Sequence, residues 1–263
     1  EVCDWSSDVC SSDLDDILAI MNYCENNLIR FYSVPHVRNY IKRQLQLELL
    51  GEVPVLSIRT EPLQNPVNRL AKRLFDLTFS SLFLLTIFPF MYLIVGLIIK
   101  ITSPGPIFFK QERNGENGKI FKCYKFRSMK VNALSDSLQA TKNDPRKTKF
   151  GNFLRKSNLD ELPQFINVFK GEMSIVGPRP HMLKHTEEYS QLINKYMMRH
   201  LVKPGITGWA QVTGYRGETK ELSQMEGRVR RDLWYIENWT FLLDIRIMIK
   251  TVTNMFRGEK NAY

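Results

Sequence analysis

The stretch FDLTFSSLFLLTIFPFMYLIVGLII, from Phe75 to Ile99, decides the fold of this chain. Asp76 is its only charged residue. A helix of this length is ~37 Å long, and the hydrocarbon core of a bilayer is about 30 Å thick. Core helices of soluble proteins rarely stay apolar on every face over such a length. The stretch therefore predicts a membrane-associated helix at about residues 72–100.

The path of this helix is indicated by a proline and by the flanking charges. Pro89 lies near its middle, where it removes one helical hydrogen bond and disturbs the preceding turn. Basic residues flank both ends, Arg69 and Arg73 before it and Lys100 after it. A spanning helix usually has its excess of Lys and Arg on one side only. We therefore predict a re-entrant helix whose two ends share the cytoplasmic side.

Composition limits the class of protein. The chain has 263 residues, 43% of them hydrophobic, which is enough for a real core and excludes a disordered chain. A formal charge of +10 predicts an anionic partner: nucleic acid, anionic lipid or nucleotide-sugar phosphates. The four cysteines form no CxxC pair, which favours reduced thiols in a cytoplasmic setting.

The residues before the apolar stretch divide into two parts. Residues 1–14 (EVCDWSSDVCSSDL) are similar to translated sequencing-adapter sequence, and we exclude them from the fold. Residues 15–64 alternate helical patterns with short apolar strands, including a predicted polar helix over 37–50. They predict a remnant of an α/β unit plus a linker. The main domain is then expected at 65–263 and should function without the preceding residues.

The chain after the apolar stretch predicts a hairpin and several helices. Strands at Ile107–Gln111 and Lys119–Arg127 flank an Asn-Gly turn. Apolar spacing predicts a helix over Leu162–Phe169. Further helices are expected at 189–201, 221–234 and 241–255, the last two near tryptophans that suit a membrane surface. The fold class is therefore α+β: a re-entrant helix, then a mostly helical domain with a small β-hairpin and amphipathic surface helices.

Two adjacent carboxylates, Asp160 and Glu161, lie just before Pro163, at the predicted start of a helix. In one interpretation, Asp160 is the N-cap of the helix and Glu161 is a first-turn acid matched to the helix dipole. The other interpretation is chemical. The helix terminus would stabilise Asp160 as an anion able to attack phosphorus, and Glu161 would hold Mg²⁺. The residues alone leave both interpretations open.

Basic and imidazole side chains near this pair also allow two interpretations. Arg155 lies shortly before the carboxylates, and Arg179 lies between two prolines that restrict its backbone. Such arginines suit bidentate phosphate contact, although a rigid turn with an exposed arginine has the same pattern. The spacing of His181 and His185 favours a pair of surface histidines over a metal site, because the sequence offers no third ligand.

The segment LDELPQFINVFKGEMSIVGPRP, residues 159–180, resembles the signature of the bacterial sugar transferase family, the monotopic phosphoglycosyl transferases. Four further motifs accompany it in the family's order: KRLFD (72–76), QERNG (111–115), YKFRSM (124–129) and KPGITGWAQVTG (203–214). The resemblance covers about residues 68–250. One departure is that Phe88 precedes Pro89, where the family's helix usually breaks at a Ser-Pro pair.

The resemblance implies a role for each matching residue. Asp160 would be the catalytic nucleophile and Glu161 a catalytic residue that binds Mg²⁺. Arg155 and Arg179 would contact phosphate. The full set of substrate-binding residues implied by the resemblance is Arg113, Lys125, Arg127, Arg155, Pro178, Arg179, Pro180, Thr207, Gly208 and Gln211.

The resemblance also implies an activity. A hexose-1-phosphate, expected to be glucose-1-phosphate, would move from a UDP-sugar to undecaprenyl phosphate through an Asp160 adduct, with release of UMP, and initiate exopolysaccharide or capsule synthesis. Galactose-1-phosphate or another sugar phosphate is the alternative within this mechanism. A membrane-anchored basic adaptor without enzymatic activity is the alternative from another class.

Partners and location follow from the same resemblance. The expected partners are a UDP-sugar, undecaprenyl phosphate and lipids of the bacterial inner membrane, with no nucleic acid. The catalytic domain would lie on the cytoplasmic face. Larger members of the family carry four spanning helices and a Rossmann-like domain before the catalytic part, and residues 15–63 resemble the end of that domain.

Overall fold

A computed structural model describes residues 14–33, 46–50, 53–57, 61–130, 146–217 and 221–257. The adapter-like segment, except Leu14, lies outside these described residues. The helices are α1 (Leu14–Asn26), α2 (Pro66–Thr102), α3 (Lys149–Lys156), α4 (Gln164–Lys170), α5 (Leu183–Leu192), α6 (Trp209–Val212), α7 (Leu222–Glu237) and α8 (Phe241–Arg257). The strands are β1 (Tyr32–Ser33), β2 (Gln46–Leu50), β3 (Val53–Ser57), β4 (Phe108–Asn114), β5 (Ile120–Phe126), β6 (Ser174–Val176) and β7 (Gly205–Thr207).

The residues before α2 form a small antiparallel sheet in the order β1-β3-β2. The predicted polar helix over 37–50 is wrong for residues 46–50, because these residues form β2 and pair with β3. The leucines and glutamate of β2 favour a helix locally, but pairing across the sheet overrides a weak propensity. Antiparallel pairing shows that these strands do not form a parallel βαβ unit. Their origin as the end of a larger domain stays a prediction.

Helix α2 contains the whole apolar stretch and, among the described residues, is the one helix long and apolar enough to cross a membrane. One stripe of α2 faces the rest of the chain, and its other faces expose leucine, isoleucine and phenylalanine. The buried members of that stripe recur at about helical spacing: Lys72, Asp76, Ser80, Val95, Gly96 and Ile99. The helix therefore lies along the domain over most of its length.

Both ends of α2 contact the same domain. At its start, Lys72 Nζ lies 2.5 Å from Asp244 Oδ2 on α8. At its end, Arg127 donates to the carbonyl oxygens of Ser103 at 2.5 Å and Pro104 at 2.9 Å. A straight helix crossing a bilayer would place these ends on opposite sides of it. The contacts are those of a re-entrant helix, and the predicted α+β class is confirmed.

The rest of the chain forms the body against which α2 packs. Strands β4 and β5 form the predicted antiparallel hairpin, and β6 pairs in parallel with β7. The main core gathers residues from α4, the β6–β7 pair, α7 and α8, with Phe83 of α2 stacked on Phe165 at 4.2 Å between ring centroids. A second cluster joins Val95 and Ile99 to Phe126 and Leu154.

The later helices match their predictions with one exception. Helices α4, α7 and α8 lie close to their expected positions. The expected helix over 189–201 is wrong, because α5 ends at Leu192 and a separate 3-10 helix begins at Tyr196. Lys195 has a positive φ of 65°, which α-helical residues do not adopt, and it breaks the helix at this point.

Candidate active site

Asp160 and Glu161 are buried on a short 3-10 turn, Leu159–Glu161, between α3 and α4. Asn158 precedes the turn in the left-handed conformation, with φ at 56°. The N-cap of α4 is Pro163, and no side chain forms a capping hydrogen bond there. The interpretation of Asp160 as an N-cap is therefore wrong. The turn directs both carboxylates away from the helix start and into the domain.

Two cations bind the carboxylate of Glu161. Arg179 forms a bidentate pair, with Nη1 at 2.9 Å from Oε2 and Nη2 at 2.5 Å from Oε1. Lys125 Nζ, from strand β5, lies 2.7 Å from Oε1. These charges hold the pKa of Glu161 well below its usual range, despite the opposing effect of burial. Glu161 is therefore an anion that holds the side chains of Arg179 and Lys125 in place.

Asp160 behaves differently from its neighbour. Burial, followed by the nearby charge of Glu161, raises the pKa of Asp160 to about 6. Lys125, Arg155 and Arg179 oppose this increase. The expectation that a helix terminus stabilises the Asp160 anion is wrong, because desolvation dominates at this position. Asp160 is still mostly ionised at neutral pH, and it has no hydrogen bond to another described side chain.

Arg155 and Arg113 lie at the edge of this site. Arg155 on α3 donates from Nε to Ser128 Oγ at 2.9 Å, and its charge acts on Asp160. Arg113 on β4 donates to the carbonyl oxygen of Pro180 at 3.3 Å. The structure thus brings the hairpin, α3 and the Gly177–Pro180 loop together around the carboxylates.

The β6–β7 pair fixes the loop that carries Arg179. Gly177 N donates to the Thr207 oxygen, and Gly205 N donates to the Pro178 oxygen, each at 2.9 Å. A Cβ at Gly177 would clash with the carbonyl oxygen of Lys203, so only glycine permits this approach. Gly208 in turn lies against the Gly177 carbonyl. The motifs at 173–180 and 203–214 therefore form one backbone unit.

Three predicted binding residues lie away from the two carboxylates. Arg127 binds the carbonyl oxygens that follow α2, so its contacts are those of a structural residue. Thr207 Oγ1 lies 2.6 Å from Thr251 Oγ1 on α8. Gln211 is buried, its Nε2 lies 3.5 Å from the Ile206 oxygen, and its Oε1 has no hydrogen-bond partner among the described residues. A ligand amide or hydroxyl would satisfy that oxygen.

A buried network behind Arg179 was not predicted from the sequence. Arg199, 2% exposed, donates to the Arg179 backbone oxygen at 2.8 Å and to Asp232 Oδ2 at 2.7 Å. His181 Nδ1 lies 2.5 Å from Arg199 Nη1 and 2.6 Å from the Tyr196 hydroxyl. The predicted surface pair of histidines is therefore wrong. His181 is buried, and burial together with nearby arginines holds its pKa well below the ordinary value.

The carboxylates can accommodate a magnesium ion together with phosphate. Oε1 of Glu161 accepts from Lys125 and Arg179, whereas Oε2 accepts from Arg179 alone and keeps one acceptor position. Within the described ranges, no cluster of three or more His, Cys, Asp or Glu residues forms a complete protein cage. Mg²⁺ needs only one or two carboxylates when substrate phosphates supply other ligands. Glu161, with Asp160 beside it, meets this requirement.

The fold and site define a class: an α+β protein with a long apolar helix and a buried carboxylate pair surrounded by cations. Such a site suits phosphate esters. The sequence profile of the family described as "Bacterial sugar transferase" matches residues 67–258. The chain belongs to this family.

Individual members of this family resemble the chain over most of its length. The UDP-glucose:undecaprenyl-phosphate glucose-1-phosphate transferase of Escherichia coli (strain K12) is 52% identical over 233 residues, covering 88% of this chain and 49% of that protein. The protein of the same name from Xanthomonas campestris pv. campestris is 45% identical, covering 95% of this chain and 52% of its own length.

A shorter relative is matched over almost its whole length. The "Exopolysaccharide production protein PSS" of Rhizobium leguminosarum bv. phaseoli is 45% identical over 194 residues, covering 72% of this chain and 96% of that protein. By contrast, the chain spans about half the length of the first two relatives.

Proposed function

We propose that this chain transfers glucose-1-phosphate from UDP-glucose to undecaprenyl phosphate, as the names of its relatives describe for those proteins. The observation that carries the proposal is the pairing of buried Asp160 with Glu161, whose carboxylate holds Arg179 and Lys125 in place. A basic surface that only binds polyanions has no reason to bury carboxylates among its cations. This feature favours the enzyme over a membrane-anchored adaptor.

The reaction proposed for Asp160 has two steps. Its carboxylate oxygen attacks the β-phosphorus of the UDP-sugar, the bond to the bridging oxygen breaks, and UMP leaves with that oxygen. A phosphosugar is then bonded to Asp160. A phosphate oxygen of undecaprenyl phosphate next attacks the same phosphorus, and the bond to Asp160 breaks to regenerate the carboxylate.

The surrounding residues bind and orient the transferring group in both steps. Arg179 and Lys125 are held by Glu161 and supply fixed positive charge beside the oxygens that gain negative charge. Arg155 adds a third cation near Asp160. Because Asp160 has a pKa of about 6, it is ionised and able to attack at neutral pH.

A magnesium ion belongs to this proposal. Glu161 Oε2 would hold it, with the diphosphate of the donor supplying further oxygen ligands. Bound there, Mg²⁺ would neutralise negative charge on the diphosphate. The residues of the chain would bind and orient the donor around it.

The proposed location is the cytoplasmic face of the bacterial inner membrane. UDP-sugars are cytoplasmic, whereas the polyprenyl acceptor stays in the bilayer. Both ends of α2 contact the catalytic domain, and the outer faces of α2 are apolar and exposed. A helix that enters and leaves the membrane on the cytoplasmic side brings the buried carboxylates to both substrates.

Intact mass measurement tests the covalent step directly. The chain in detergent, given UDP-glucose and Mg²⁺ without lipid acceptor and quenched rapidly, should gain one hexose phosphate and release an equal amount of UMP. Asp160→Asn should show neither product. Asp16→Asn, an exposed aspartate on α1, is the matched control and should behave as the unaltered chain.

Three other results would change the proposal. UMP release only after acceptor is added, with no adduct, would overturn the covalent mechanism. Release of UMP from UDP-galactose but not from UDP-glucose would assign the alternative donor. Absence of nucleotide release with every UDP-sugar tested would favour the adaptor.

A further inference from the structure

A cavity lies at the start of α2. It has a volume of about 60 Å³, several times the ~10–15 Å³ that one water molecule requires. Its charged lining contains five cations, of which Lys203 comes from the segment before β7, and three carboxylates: Arg30, Arg69, Lys72, Arg73 and Lys203, with Glu61, Asp76 and Glu116. None of these residues forms a hydrogen bond or an ion pair with Asp160 or Glu161 in the described part of the chain. The cavity uses the KRLFD and KPGITG motifs, whose charged residues the proposed reaction leaves without a role.

The cations of this cavity differ in the ion pairs and hydrogen bonds that they form. Arg69 lies 3.2 Å from Glu116, and Lys72 lies 2.5 Å from Asp244. Arg73 donates to the carbonyl oxygens of Val168 and Phe169, both at 2.7 Å, and so binds the end of α4. Three of the five N–H groups of Arg73 therefore make no hydrogen bond within the described part of the chain.

Lys203 has no hydrogen bond or ion pair with another described residue, although its side chain is half-buried. Gly171 shows where its amine lies, because a Cβ there would be 3.7 Å from Lys203 Nζ and 3.4 Å from Arg73 Nη2. Two cationic groups thus approach one point, and neither forms an ion pair with a described carboxylate. Burial lowers the pKa of Lys203, Glu116 partly opposes this, and Arg73 lowers it further. An anion between them would remove this repulsion.

We propose that this cavity is a phosphate-binding site, separate from the carboxylate pair, in which Lys203 and Arg73 bind the phosphate group and Arg69 contacts it from the rim. Phosphate offers several acceptor oxygens, which suits lysine and guanidinium donors together. The proposal concerns binding alone and goes beyond the proposed transfer reaction.

The surroundings indicate two sources for the phosphate, a phospholipid headgroup or a free phosphate compound. Leu70 and Leu74 are 60% and 55% exposed and lie one residue after Arg69 and Arg73 on the same helix. A cationic stripe therefore runs beside an apolar stripe at the start of the apolar helix. Basic pockets in this position at a membrane bind anionic headgroups.

Binding to the detergent-solubilised chain tests the site. Short-chain phosphatidylglycerol, phosphatidylcholine and inorganic phosphate are titrated separately, and the bound fraction is measured by native mass spectrometry. Lys203→Gln should weaken binding of the phosphate-bearing ligand by about tenfold or more, the value for loss of a charged hydrogen bond. Arg69→Gln, at the exposed rim, should weaken it less. Lys100→Gln removes the same charge from an exposed position on α2 outside the cavity and should leave binding unchanged.

The separate titrations distinguish the two possible sources of the phosphate group. Binding of phosphatidylglycerol in preference to inorganic phosphate assigns a lipid headgroup, and equal binding of both assigns a free phosphate compound. The proposal is overturned if Lys203→Gln and Lys100→Gln have equal effects on ligand binding. It is also overturned if no ligand binds although Lys203→Gln unfolds at the same temperature as the unaltered chain. Turnover is not the readout, so this result is independent of the transfer assay.

Discussion

Arg199 donates a hydrogen bond to the backbone oxygen of Arg179 at 2.8 Å, so one buried arginine positions another that reaches Glu161. Asp232 neutralises Arg199 at 2.7 Å. The position of Arg179 thus depends on an ion pair between two buried residues, Arg199 and Asp232.

We expect Arg199→Met to lower the free energy of unfolding by about 3–5 kcal/mol, because it leaves Asp232 buried without its partner. Replacing both residues, as Arg199→Met with Asp232→Leu, should cost less than the single change. Urea unfolding in detergent measures both. Arg230→Met, at an exposed position of α7, should stay within about 0.5 kcal/mol of the unaltered chain. A double variant as unstable as the single one would contradict the ion-pair explanation.

Asp160 should reduce stability at neutral pH. Its pKa is about 6 in the folded chain, against about 3.9 for an unfolded aspartate. The folded state binds more protons between these values, so the free energy of unfolding falls as pH rises from about 4 to 6. Asp160→Asn should therefore be more stable than the unaltered chain above pH ~6, by about 1–3 kcal/mol, and this gain should disappear below pH ~4.

Thermal unfolding in EDTA across this pH range measures the difference. Asp16→Asn is the control and should show no such pH-dependent gain. An equal gain at every pH would mean that the change acts through packing and not through the ionisation of Asp160.

Chelation should stop the reaction if Glu161 holds Mg²⁺. We expect EDTA to abolish transfer and added Mg²⁺ to restore it, because two phosphates and two carboxylates carry more negative charge than the nearby cations balance. Glu161→Gln should remove activity, since Arg179 and Lys125 also lose their common partner. Glu112→Gln, an exposed residue of β4, is the matched control. Full activity in EDTA would leave Glu161 with the positioning role alone.

Labelling of introduced cysteines tests the path of α2. In a background without the native cysteines, Cys at Val67 and at Thr102, both exposed, should react with a membrane-impermeant thiol reagent from the cytoplasmic face only. Cys at Phe90, which is 70% exposed beside Pro89, should react from neither face because it would be covered by lipid. Pro89→Leu should straighten the helix, move one flank across and lower activity. Labelling of the two flanks from opposite faces would refute the re-entrant path.

Helix α1 should stabilise the catalytic part without taking part in the reaction. Met21 is 1% exposed, and Asn26 Oδ1 accepts from the Lys195 backbone N–H at 2.7 Å. A chain beginning near Asn65 should therefore keep its activity per folded molecule but unfold at a lower temperature. Met21→Ala in the full chain should cost about 2–5 kcal/mol. A truncated chain that folds but has lost most of its specific activity would contradict this prediction.

Local patterns in the sequence were sufficient to predict the elements that are determined by residues close together in the chain. The length and apolar character of α2 predicted the helix, and the Asn-Gly turn predicted the hairpin of β4 and β5. Family motifs predicted Asp160 and Glu161 as catalytic residues, and the structure buries both, but the ion pairs of Lys125 and Arg179 with Glu161 were not predicted.

Features that depend on distant partners were not predictable in this way. Strand β2 has a helical composition and becomes a strand only through pairing with β3. Arg199 is charged and stands beside His200, so the sequence gives no sign of its burial. Its partner Asp232 lies 33 residues later, and only the packed structure brings the two together. The raised pKa of Asp160 likewise follows from burial, which spacing does not reveal.

The close approach of Gly177 to the segment before β7 would couple the two proposed ligand sites, one at Arg179 and one at Lys203. Arg179 follows Gly177 by two residues, and Lys203 lies directly against Gly177 through its carbonyl oxygen. If phosphate binding moves the Lys203 backbone, we expect the loop carrying Arg179 to move with it, because the contact is between backbone atoms and Gly177 has no side chain to absorb the change. Thermodynamic reciprocity then requires that a donor bound at Arg179 change the affinity of the Lys203 cavity by the same factor. The concentration of one ligand would thereby change the affinity of the chain for the other.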